Sequence, residues 1–102
     1  MGRRKPKAKG TNLLNPKAKI YKYVIDKPDC ELEIPAGKVL KVAEQHGNPT
    51  IWIELRDNTE FYKAKFRVIP TGVKFEIKPE YSFLDTVFID DLVFHIYMAW
   101  SD

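Results

Sequence analysis

From Ile20 onward, apolar and polar residues alternate with a period of two, and proline, glycine, asparagine and aspartate interrupt the alternation at short intervals. Successive side chains of a strand point to opposite faces, so the pattern suits half-buried strands; an amphipathic helix would repeat its apolar stripe about every 3.6 residues. No helical stripe of useful length occurs. The expectation is an all-β domain, a small antiparallel sandwich or a partly open barrel.

The breaks predict strands over Ile20–Ile25, Cys30–Ile34, Lys38–Gln45, Thr50–Arg56, Glu60–Ile69, Val73–Lys78, Ser82–Ile89 and Leu92–Met98. Between them stand Asp26-Lys27-Pro28-Asp29, Pro35-Ala36-Gly37, His46-Gly47-Asn48-Pro49, Asp57-Asn58-Thr59, Pro70-Thr71-Gly72 and Pro79-Glu80. Proline presets φ and glycine supplies the positive φ that reversals use. Asp90-Asp91 reads as a two-residue hairpin loop closing the last pair.

Alternation also assigns faces. Ile51, Ile53 and Leu55 share one side of their strand, with Trp52, Glu54 and Arg56 on the other. Tyr62, Ala64, Phe66 and Val68 oppose Lys63, Lys65 and Arg67, which makes a three-cation stripe. Leu92, Phe94, Ile96 and Met98 form an apolar face, leaving Val93, His95 and Tyr97 on a mixed one; Tyr21 and Tyr23 are placed on a similar mixed face, opposite Ile20, Lys22 and Val24. The expected core is Ile51, Ile53, Leu55, Phe66, Phe94 and Ile96.

Charge divides the chain. The net charge is +3, yet the first nineteen residues hold seven cations, Arg3, Arg4, Lys5, Lys7, Lys9, Lys17 and Lys19, and no acid. Ten of the seventeen cations then face all fourteen acids in the remainder, a net −4. The leading segment has Pro6, Gly10 and Pro16 and almost no apolar residue before Leu13, too little to offset its ordering entropy. Residues 1–18 are therefore expected to be a disordered basic arm, and residues 19–100 a single β domain.

Hydrophobic residues make up 44% of the chain and aromatics 13%, enough for a core without a metal or cofactor. One cysteine, Cys30, permits no disulfide within the chain, and two histidines do not complete a Cys/His cage. No stretch approaches the roughly 18 apolar residues of a membrane helix. A reducing, cytoplasmic setting is expected, with no membrane partner.

Catalytic constellations leave traces, and no phosphate loop, His-Glu helix motif or serine elbow is present. Cys30 with His95 as base is the one nucleophile pairing to weigh; a lone cysteine on a short strand is more simply a small buried hydrophobe. Asp90-Asp91 and His46 read as solvated turn residues, and His95 as a partly buried, hydrogen-bonded side chain or a ligand contact. No catalysis is expected. The candidate binding residues are Arg3, Arg4, Lys5, Lys7 and Lys9 of the arm, then Trp52, Tyr62, Lys63, Lys65, Arg67 and His95. Interleaved aromatics and cations on β-surfaces stack bases and hold phosphates, or serve as cross-strand packing on a solvated face.

Ile20-Tyr21-Lys22-Tyr23, Glu33-Ile34-Pro35-Ala36-Gly37, Lys41-Val42-Ala43-Glu44-Gln45, Gly47-Asn48-Pro49, Trp52, Phe66-Arg67-Val68-Ile69, Thr71-Gly72 and Val93-Phe94-His95 stand in an order and spacing that resembles a family of short, functionally uncharacterised proteins found mainly in tailed-phage genomes. The resemblance covers about residues 19–100 and leaves out the arm. It implies a compact β fold and a phage setting, and it brings no activity or site. By analogy with small phage proteins, the first expectation is a non-enzymatic accessory protein that binds and modulates a host protein in the host cytoplasm. The alternatives are nucleic-acid binding through the arm and the Lys63/Lys65/Arg67 stripe, with Trp52 or Tyr62 under bases, and sequestration of a small nucleotide. A body of net −4 favours the host protein.

Deleting residues 1–16 removes no apolar surface with most of its length, so the midpoint of thermal unfolding should stay within about 2 °C of the intact chain, an effect well under 1 kcal/mol. A drop of more than about 5 °C, which corresponds to roughly 1 kcal/mol, would place the arm in the fold.

Overall fold

The structure is a computed structural model that describes residues 15 and 17–101, and every regular element among them is a strand. In chain order these are β1 (Ala18–Val24), β2 (Asp29–Pro35), β3 (Lys38–Gln45), β4 (Asn48–Arg56), β5 (Phe61–Pro70), β6 (Ser82–Ile89) and β7 (Leu92–Trp100). All pairings are antiparallel. One sheet has the order β1-β4-β3 and the other β2-β5-β7-β6. The two face each other as a sandwich and do not close into a barrel.

One apolar cluster joins them: Ile51 and Ile53 from β4, Ile34 from β2, Ala64 and Phe66 from β5, Val87 from β6, Ile96 from β7, and Ile25 from the β1–β2 connection. Of the expected core, Ile51, Ile53, Phe66 and Ile96 are buried. Leu55 and Phe94 are only partly covered, Leu55 beside the end of β4 and Phe94 at an open mouth of the sandwich with Ile25, Pro49 and Ile89.

Five further expectations need correction. Val73–Lys78 is not a strand, since it joins neither sheet. It runs as an unpaired connection, entered by a turn with Gly72 at φ 91° and held by the Phe75 ring on Tyr97 at 5.4 Å. The β3–β4 turn is shorter than four residues. His46 (φ 54°) and Gly47 (φ 86°) make a two-residue reversal whose twist matches the flanking strands, so Asn48 and Pro49 fall inside β4. Pro49 sits near the strand start, where a missing N–H is tolerated.

Ala18, expected in the arm, pairs with Arg56 and opens β1. The β1 faces are also exchanged. Tyr21 and Tyr23 stand opposite Ile53 and Ile51 and turn toward the interior, while Ile20 and Val24 are 59% and 40% exposed. A strand's side chains all change face with a one-residue slip, and β1 takes its register from β4.

Gly37 has a different role from the turn glycine that was expected. Its φ is not in the left-handed region; instead, a Cβ there would collide with the backbone carbonyl of Glu54. That close approach lets the chain cross from β2 to β3.

Phe66→Ala should lower the unfolding free energy by about 3–5 kcal/mol in a denaturant titration. Gly37→Ala should lower it by roughly 1–3 kcal/mol through steric strain against Glu54. Unchanged midpoints would contradict the placement of either residue.

Candidate functional site

The outer face of the β2-β5-β7-β6 sheet carries the expected cation stripe, and the pairing of β2 with β5 neutralises it. Lys63, Lys65 and Arg67 stand directly opposite Glu33, Glu31 and Asp29. Arg67 Nε donates to Asp29 Oδ1 at 3.1 Å, and Ser101 Oγ donates to Glu31 Oε2 at 2.6 Å. Exposed pairs of this kind contribute at most about 1 kcal/mol to stability. Their larger effect is on the field, because three carboxylates cancel three cations at the spacing of neighbouring strands.

The structure does not bring the expected aromatics to this stripe. Trp52 belongs to the other sheet. Tyr62 lies on the opposite face of β5, at its margin, with its ring edge-on to Trp100 at 6.1 Å and its hydroxyl donating to Glu60. That hydrogen bond and the Glu60 charge push the Tyr62 phenol up from its ordinary range. The surface with cations on phosphates and Trp52 or Tyr62 under bases is therefore not assembled there. Arg3, Arg4, Lys5, Lys7 and Lys9 lie outside the described residues.

His95 is committed on both sides of its ring. Nε2 lies 2.7 Å from Thr71 Oγ1 and Nδ1 lies 2.9 Å from Thr86 Oγ1, while Thr71 Oγ1 also donates to the Val93 carbonyl at 3.2 Å. A neutral ring with its proton on Nε2 satisfies every partner, donating to Thr71 and accepting from Thr86. The imidazole thus ties β6, β7 and the turn after β5 together. Cys30 pairs with Phe66 and packs against the core, on the opposite side of the sheet from His95. The two cannot act as a nucleophile and base. Burial, then the Asp26 charge, pushes the Cys30 thiol up, which keeps the thiolate scarce.

Two surfaces stand out instead, each around an aromatic that the sequence placed on an outward or mixed face, Tyr97 and Trp52. The first surrounds Tyr97, whose ring lies 5.4 Å from Phe75 and 5.6 Å from Phe83. With Phe88 farther along the same face of β6 and Val73 and Ile77 on the unpaired connection, it exposes a run of large apolar groups; Ile77 is 84% exposed and Phe88 69%. The alternation in 73–77 was the legible signal, read as a strand when it marks an apolar flank. A small cavity under this flank is lined by Arg67, Ile69, Phe75, Ile77, Tyr81 and Tyr97, and Arg67 Nη1 reaches the Glu76 carbonyl at 3.5 Å.

The second surface is the outer face of the β1-β4-β3 sheet, where Trp52 stands directly opposite Lys22 on one side and Lys41 on the other. Only the pairing order reveals this row. An apolar cleft of about 230 Å³ at the mouth of the sandwich, between Ile25, Pro49, Val68, Ile89 and Phe94, is smaller than the roughly 300–1,000 Å³ of small-molecule sites. Among the described residues no group of three or more His, Cys, Asp or Glu side chains is placed to hold a metal ion, and no helix is long and apolar enough to cross a membrane.

These features define a β-sandwich whose distinctive chemistry lies on its outer faces. The chain belongs to a family described as a domain of unknown function, DUF7352, matched over residues 16–102. No curated protein and no solved structure matches it.

Cys30 should react with iodoacetamide at pH 8 several-fold more slowly than free cysteine, because a raised pKa leaves less thiolate at that pH and the strand shields the sulfur. Alkylation at the free-cysteine rate in the folded protein would contradict this environment.

Proposed function

We propose that the chain is a non-enzymatic binding protein that docks on a host protein through the apolar surface around Tyr97, acting in the host cytoplasm as an accessory protein of a tailed phage. The phage setting rests on the family resemblance. The docking surface rests on one observation: Phe75 and Phe83 bracket Tyr97, while Val73 and Ile77 on the same connection and Phe88 farther along the same face of β6 remain largely exposed. Contiguous apolar surface of this kind on a small soluble domain is a common mark of a protein interface, and aromatic anchors contribute most of the energy at such interfaces.

Charge helps to choose the partner. Glu76, Glu80, Asp85, Asp90 and Asp91 are exposed on the connection, on β6 and at its hairpin, against Lys74 and Lys78. An acidic rim repels phosphates and suits a protein with an apolar centre and basic surroundings. A non-enzymatic role is supported by His95, whose ring nitrogens are both engaged, and by Cys30 on the far side of the sheet.

Ile77→Asp and Phe88→Asp replace exposed side chains and should fold normally. Tagged wild-type chain should capture a discrete protein from host lysate that survives nuclease treatment, and each variant should lose it by at least about tenfold, the loss of one hot spot. Capture that vanishes with nuclease, capture indifferent to both variants, or self-association of the chain through these residues in sedimentation would overturn the host-protein reading.

A further inference from the structure

The outer face of the β1-β4-β3 sheet is predominantly cationic. Lys22, Trp52 and Lys41 form one cross-strand row; Lys38 and Glu54 are paired in the next, and Arg56 lies farther along opposite Ala18. Four cations meet a single carboxylate, Glu54, which is itself 3.6 Å from Arg56. Trp52 is half-buried and keeps part of its indole open to solvent, with Ile20 and Val24 exposed along the neighbouring strand. Residues directly opposite each other in a sheet have Cβ atoms about 4.5–5.5 Å apart, so a lysine stem flanks the indole on each side; the Lys22 ammonium donates to Gln45 Oε1 at 2.7 Å, an exposed hydrogen bond that a phosphate would replace.

We propose that this face binds single-stranded nucleic acid, with Trp52 as the stacking platform for one base and Lys22 and Lys41 on the flanking phosphates. Single strands are held by this pairing of exposed aromatic surface with a cationic track, and sequence matters little because every base has a π-face. A duplex hides its base faces and would engage the lysines alone. Lys38 extends the cationic track along β3. The site is on the opposite side of the sandwich from the apolar surface around Tyr97, and its success or failure is independent of that reading.

Fluorescence polarisation with a dye-labelled oligothymidine of about 16 nucleotides, and with a duplex of equal length, tests this at about 50 mM salt, where phosphate contacts are strong. The intact chain should bind the single strand more tightly than the duplex. Trp52→Ala should weaken single-strand binding by about tenfold or more. Lys22→Gln with Lys41→Gln should reduce the slope of log affinity against log salt by about 1.4, two phosphate contacts on a single strand. Both lysines are exposed, so that variant keeps the test valid even if Trp52→Ala unfolds. Lys63→Gln with Lys65→Gln should change affinity less than about twofold. The proposal is overturned by no single-strand binding, by binding that ignores the Lys22/Lys41 variant, by equal binding of the duplex, or by polyglutamate binding as tightly as the oligonucleotide.

Discussion

Phe66, Ile34 and Ile96 from one sheet meet Ile51 and Ile53 from the other, and burying that layer is what the strands have to accomplish together. Each strand can contribute only every second residue to it. Once Ile51 and Ile53 turn inward, Trp52 and Glu54 must turn outward, and the partners opposite them in β1 and β3 are carried to the same faces. The outer surfaces are therefore a consequence of the inner one. The alternation that builds the core also decides which cations stand beside which aromatics.

Pairing order then sorts the charge. The domain's net acidity conceals a sheet face where β2 carboxylates cancel the β5 cations, a cationic face around Trp52, and an acidic margin around the apolar surface at Tyr97. The described residues form one core between the two sheets, and these charged and aromatic groups lie on its outer faces. His95 illustrates the same economy of roles: its two ring nitrogens hold Thr71 and Thr86, which fixes the turn that launches the exposed 73–78 connection.

Much of the architecture was legible in the residues. Lys38–Gln45 and Ser82–Ile89 lie between strong turn signals, and their bounds follow from those turns, although a bulge at Leu40 and at Leu84 interrupts the alternation of each. Ile51, Ile53, Phe66 and Ile96 were legible as core because they lie mid-strand among apolar partners at period two. What local pattern does not carry is which strand lies beside which. The faces of β1 are ambiguous by themselves, since tyrosines and aliphatics alternate there, and only the β4 register sends Tyr21 and Tyr23 inward. Val73–Lys78 alternates like a strand, yet it joins neither sheet. The Lys63/Lys65/Arg67 stripe was visible, whereas its cancellation by Asp29, Glu31 and Glu33 and the Lys22–Trp52–Lys41 row depend on pairings between distant segments. Gly37 was legible as special, but its reason is a tertiary contact with Glu54.

Both proposed surfaces depend on the face assignment, and nuclear Overhauser contacts in the isotope-labelled full chain test it most directly. The account predicts cross-strand contacts from Trp52 to Lys22 and to Lys41, with the Tyr23 ring giving contacts to methyls of the buried layer, the Tyr21 ring to Phe61, and Ile20 and Val24 giving none to that layer. Interior contacts from Ile20 and Val24, with Tyr21 and Tyr23 in solvent, would show β1 slipped by one residue and contradict the account.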